Sequence, residues 1–76
     1  MSEINRLRWR CRRGMLELDL VLGEFLEQRY VGLPAHQQAA FAALLACSDQ
    51  ELWDMLYGKL SPNDARSMDV LAMLRQ

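Results

Sequence analysis

Arg13, Gly14 and Glu17 stand in the order Arg-Gly-x-x-Glu, at the point where five arginines in the first thirteen positions stop and an acidic, apolar segment begins. The chemistry these residue types offer is recognition. A guanidinium and a carboxylate make directional charge-assisted hydrogen bonds. A glycine beside them takes positive φ at no steric cost and leaves the backbone bare, so that a partner's surface can come close. Met15 follows the glycine, where a flexible thioether suits an adaptable contact surface. The combination reads as a docking site.

Simpler roles exist for the same residues. A glutamate near the start of a helix favours the positive end of the helix dipole and can bond free backbone N–H groups. Glu17 can also pair with Arg13 four positions earlier, an interaction worth only about 0.2–0.5 kcal/mol. Catalysis finds less to work with. Glu17 and Asp19 are two apart, roughly 200° around a helix, and cannot act as a paired acid and base. His36 is the only histidine, and there is no Gly-rich phosphate loop and no nucleophile with a histidine partner. Cys11 and Cys47 lack both CxxC spacing and companion ligands, so reduced, partly buried thiols are expected and a metal site is not. The expected class is a binding protein rather than an enzyme.

At 76 residues the chain makes one small domain, residues 1–76, burying about 60% of its unfolded-state surface. Its 51% hydrophobic and 25% charged residues suffice for a folded core and argue against disorder. No apolar run approaches the roughly 18 residues of a membrane span. The N-terminus has no secretory apolar region, and a cytoplasmic protein is the expectation. An Arg-rich, acid-poor N-terminus also suits a mitochondrial transit peptide, but here it carries the motif itself.

Charge is divided along the chain. Residues 1–14 hold five arginines against Glu3, a net of plus four, and the remainder holds four basic and nine acidic residues, a net of minus five. Such polarity steers a basic face towards an acidic partner. It also allows a second reading, in which the Arg-rich first helix binds nucleic acid with Trp9 as a stacking ring. The pI near 5.7 opposes that, since acidic segments elsewhere repel a polyanion.

The elements that must position these residues are helices. Ser2 is suited to cap a first helix carrying Ile4, Leu7 and Cys11 on one face, ended by Gly14. A second helix from about Met15 to Tyr30 places Leu18, Leu22, Phe25, Leu26 and Arg29 or Tyr30 on one stripe. Gly32-Leu33-Pro34 interrupts it, and Pro34 fits the first turn of a third helix with Phe41, Leu44 and Leu45 inward. Ser48-Asp49-Gln50-Glu51 is a capping box opening a fourth helix with Leu52, Trp53, Leu56 and Tyr57, stopped by Gly58. Ser61-Pro62-Asn63-Asp64 repeats the cap for a fifth, with Met68, Leu71, Ala72 and Leu74 or Arg75 as its apolar face. No run alternates with period two, so the fold class is all-α, a small single-domain five-helix bundle. Phe25, Tyr30, Phe41, Trp53 and Tyr57 fall mostly on the apolar stripes and read as core rather than as a flavin-stacking box, with Trp9 packing partly over the bundle.

The segment from Arg8 to Leu20, with Leu22, Phe25, Tyr30, Leu33, Phe41, Leu44, Leu45, Asp49, Leu52, Trp53 and Leu56, resembles the succinate dehydrogenase assembly factor 2 family, called FAD assembly factors in bacteria. The resemblance covers nearly the whole chain. It implies an accessory protein that binds the flavoprotein subunit of succinate dehydrogenase, or of fumarate reductase, and promotes covalent attachment of FAD. It implies no FAD held tightly by this chain, a monomer, and a partner site built from Arg8, Arg12, Arg13, Gly14, Met15, Glu17 and Asp19. The chain departs from the family pattern at residues 34–38, commonly more acidic, and at Met55, where a tryptophan is frequent. Some relatives carry an antitoxin-like label, for which these residues supply no physical support.

Overall fold

Ser2 opens the first helix as its side chain dictates: the hydroxyl accepts the Asn5 N–H at 3.2 Å, satisfying a donor that the first turn leaves free. The computed structural model describes residues 2–58, 60–62 and 65–75. Helix α1, Glu3–Cys11, buries Leu7 and Cys11 and tucks Ile4 against them. It ends three residues before Gly14, because Arg12 is already extended at φ −90° and ψ 96°. Gly14 instead forms the middle of the linker at φ +93°, the positive value its lack of a Cβ permits.

Helix α2, Leu16–Gln28, buries Leu18, Leu22, Phe25 and Leu26 along one stripe. It is shorter than the sequence suggested. Arg29 leaves helical geometry at φ −125°, and Tyr30–Gly32 forms a separate 3-10 turn that carries Tyr30 into the core. The Tyr30 and Phe41 rings lie 5.7 Å apart, and the Phe25 and Phe41 rings 5.0 Å apart. Both are tilted contacts of the kind aromatic quadrupoles favour.

Pro34 precedes α3, Ala35–Leu44, and its carbonyl accepts the Gln37 and Gln38 N–H groups at 3.0 Å. Ala40, Phe41 and Leu44 are buried. The capping box before α4, Asp49–Tyr57, is complete: Glu51 N–H donates to Ser48 Oγ, and Ser48 N–H donates to the Glu51 carboxylate, each at 3.1 Å. Gly58 closes that helix, donating to the Asp54 carbonyl at 2.9 Å.

Helix α5, Ala65–Leu74, turns a different face inward from the one expected. Leu71 and Leu74 are buried as anticipated, but their companions are Ser67 and Val70, while Met68 and Ala72 face out. The cap assigned to Ser61-Pro62-Asn63-Asp64 lies partly outside the described residues. Tyr57, expected inside, is also exposed, and its ring lies 4.6 Å from the half-buried Trp53.

The bundle is held by α3 packed on α5, α1 on α2, and α2 and α4 on α5. Leu18, Leu22, Phe41, Leu52 and Val70 have no accessible surface. Each such side chain contributes about 1.5–3 kcal/mol on leaving water. The described residues contain five α-helices and no strand, as the absence of period-two patterning required. The radius of gyration, 11.4 Å, is that of a single compact unit of this length.

Candidate functional site

The α1–α2 linker is fixed from both sides by carboxylates that belong to other elements. Asp19, in the first turn of α2, accepts the Arg13 N–H on Oδ1 at 2.7 Å and the Gly14 N–H on Oδ2 at 3.3 Å. Asp49, the first residue of α4, accepts Arg13 Nε at 2.5 Å. The rest of the guanidinium is also used. Nη1 donates to the Leu45 carbonyl at 2.9 Å and to the Arg10 carbonyl at 3.3 Å, and Nη2 donates to the Cys47 carbonyl. The Leu45 carbonyl is at the C-cap of α3 and the Cys47 carbonyl lies in the turn before α4, where no helical N–H pairs with them.

Arg13 therefore turns into the bundle, its side chain only 13% exposed, and pairs with Asp49 rather than with Glu17. Glu17 is exposed and makes no hydrogen bond or ion pair with the described residues, so it does not cap α2. Met15 is half-buried against the core. Gly14 stands at the surface, and a Cβ built on it meets nothing within 4 Å.

Beside Gly14 runs a groove of about 790 Å³ between α1 and α2. Four of the seven residues expected at the site line it: Arg8, Arg12, Gly14 and Asp19. Leu20, 54% exposed, and Gly23 also face it. Sequence reasoning passed over both. Gly23 carries a legible signal, because a mid-helix glycine costs about 0.5–1 kcal/mol relative to alanine. Nothing within 4 Å would obstruct its Cβ, so internal packing does not require it.

The groove walls are of mixed charge. Arg8 reaches across to α2 and forks onto Glu27, with Nε–Oε1 at 2.5 Å and Nη2–Oε2 at 3.2 Å, while its Nη1 donates to Asn5 Oδ1 at 2.8 Å. The pairing draws the Glu27 carboxyl below its ordinary range and raises Arg8. About half of each side chain is exposed. Such surface pairs are worth about 0–1 kcal/mol and exchange readily for a partner's groups. Arg12 lies over the Trp9 ring at 5.5 Å, and Trp9 is 64% exposed rather than packed over the bundle. Leu16, 72% exposed, stands one helical turn before Leu20.

The remaining reactive groups lie elsewhere. Cys11 is buried, and desolvation pushes its thiol up to about 11; burial also raises the half-buried Cys47. No group of three or more His, Cys, Asp or Glu among the described residues could hold a metal ion. Phe25, Tyr30 and Phe41 are committed to one another in the core and leave no open ring face in the groove. No helix among the described residues is long and apolar enough to cross a membrane.

The family model described as flavinator of succinate dehydrogenase matches residues 5–76. The chain is 43% identical over 74 residues to the FAD assembly factor SdhE of Pseudomonas aeruginosa, covering 97% of this chain and 84% of that protein. It is 40% identical to the FAD assembly factor SdhE of Methylococcus capsulatus, over 99% of this chain and 90% of that one. With the protein of the same name from Coxiella burnetii the identity is 35%, over 93% and 87%.

Proposed function

The chain belongs to the family of succinate dehydrogenase flavinators, and from that membership we propose that it binds the flavoprotein subunit of succinate dehydrogenase through the α1–α2 groove and promotes covalent FAD attachment. The related fumarate reductase subunit is a second client of the same kind. The observation that carries this reading is the groove itself. Two glycines leave its surface bare, Leu20 offers apolar area, and Arg8, Arg12 and Asp19 rim it with charge.

The factor is an accessory protein, acting in the cytoplasm as a monomer before the complex assembles. Bond formation between FAD and the client proceeds on the client's own groups, and this chain holds no FAD tightly. Its contribution is a population shift. A protein that binds the attachment-ready conformation of the client more tightly than other conformations raises its occupancy by that differential affinity and no more. Gly14 and Gly23 permit close approach, and Glu17, whose carboxylate makes no bond with the described residues, is available to orient the client. Arg13 serves the same end from inside, by fixing the loop that presents Gly14.

The nucleic-acid reading is weaker on the same geometry. Arg8 and Arg13 are neutralised by Glu27 and Asp49, and Asp19, Glu24 and Glu27 line the groove where phosphates would lie. In-gel flavin fluorescence of the large subunit decides between the two. Cells lacking this chain should show a weak flavin band, restored by the wild-type gene and not by Glu17→Ala. A full-strength band in the deletion would remove the proposal.

A further inference from the structure

Asp49 lies 36 residues from Arg13 in sequence, yet its carboxylate meets Arg13 Nε at 2.5 Å, and the same guanidinium is held by the Leu45 and Cys47 carbonyls. The motif arginine is thus bound in a receptor made by the end of α3 and the start of α4. On the other side of the linker Asp19 takes both the Arg13 and the Gly14 N–H groups. Between these two anchors sits Gly14 at φ +93°, where a Cβ would meet nothing within 4 Å.

We propose that Asp49 is a positioning residue for the docking groove: through Arg13 it locks the α1–α2 linker in the one conformation that presents Gly14 to the client. The proposal rests on the docking function argued above and assigns part of it to a residue outside the Arg-Gly-x-x-Glu segment. Asp49 acts by preorganisation. A linker free to leave the positive-φ state binds only in the fraction of time it returns there, and the apparent dissociation constant rises by the inverse of that fraction. The arrangement suits the task because a forked guanidinium fixes direction as well as distance. It also joins the groove to the α3–α4 junction, so that the α1–α2 linker and the turn between α3 and α4 share one tether near the site.

The test uses the full chain with Asp49→Ala, Arg13→Ala, the double variant, and Ser48→Ala as a control that loosens the same helix start without touching Arg13. Two quantities are read: amide hydrogen exchange at Gly14 in the free protein, and affinity for the apo-flavoprotein subunit by calorimetry. Asp49→Ala should speed Gly14 exchange and weaken binding, each by about tenfold, whereas Ser48→Ala should change neither by more than about twofold. In the Arg13→Ala background Asp49→Ala should add less than about twofold, because both changes open the same clamp. Should Arg13→Ala lack a cooperative melt, Arg13→Lys takes its place, keeping the charge without the fork. Unchanged Gly14 exchange in Asp49→Ala overturns the proposal, as do additive binding losses, which would make Asp49 a direct contact. If wild type does not bind the apo-flavoprotein at all, the docking function fails, and the exchange measurement alone still decides the clamp.

Discussion

Replacing Gly14 separates backbone strain from lost space, because the two costs fall on different observables. At φ +93° any L-residue meets the left-handed penalty, about 1–2 kcal/mol. The reduced freedom of the unfolded chain returns about 0.4–1 kcal/mol, leaving a net loss on the order of 1 kcal/mol. For a domain of this size that lowers Tm by about 4–8 °C. Since nothing lies within 4 Å of a Cβ at Gly14, side-chain length should add little in the free protein. Gly14→Ala and Gly14→Arg should therefore melt cooperatively within a few degrees of each other. Binding should part them. Alanine adds one methyl to the space beside the groove, whereas arginine fills it with a charged chain, so titration with apo-flavoprotein should show Gly14→Arg weakened at least about tenfold relative to Gly14→Ala. Equal affinity for wild type and Gly14→Arg would take Gly14 out of the interface. A Tm for Gly14→Arg far below that of Gly14→Ala would mean that the space is needed internally, contrary to the geometry.

Three further expectations concern single residues. Glu17→Ala removes an exposed carboxylate with no internal partner among the described residues, and should cost at most about 1 kcal/mol in a thermal melt. It should nevertheless abolish support of client flavinylation; unfolding of this variant would return Glu17 to a structural role. Gly23→Ala should raise stability by about 0.4–1 kcal/mol, since the helix interior gains and no neighbour obstructs the methyl, while weakening client binding. A variant both more stable and equally tight would show that the groove does not need the bare backbone. Cys11 has its pKa raised on folding from 9.0 to about 11. The neutral thiol's contribution is thus complete below about pH 9 and lost as pH rises towards 11, because the unfolded chain releases the proton first. Cys11→Ala should flatten that alkaline decline in stability, and an identical decline would assign it to other groups.

The helical architecture was legible because its signals are local. Ser2 and the Ser48/Glu51 pair cap where their side chains can reach free N–H groups, and Leu18, Leu22, Phe25 and Leu26 keep helical period against one surface. Gly14 was legible as a break, and its positive φ follows from residue type. What local pattern does not reveal depends on distant partners. Tyr30 is buried as its apolar ring suggests, but it reaches Phe41 from the 3-10 turn and not from α2. In α5 the periodic pattern admits two phases, and Met68 was taken for Val70 because both are apolar. The destination of Arg13 was hidden for the same reason. Its partners lie at residues 45, 47 and 49, and local spacing offers only Glu17. Four of the seven residues named from sequence line one groove, while Glu17 is exposed outside its lining, Met15 leans on the core and Arg13 is an internal tether.

An α1–α2 groove that meets the flavoprotein subunit leaves a footprint in the hydrogen exchange of this chain, measured with and without that subunit in its FAD-free form. Protection should concentrate in residues 8–28, the end of α1, the Gly14 linker and α2, with α4 and α5 unchanged. Protection confined to α4 and α5, with residues 8–28 exchanging as in the free protein, would mean that the subunit docks elsewhere.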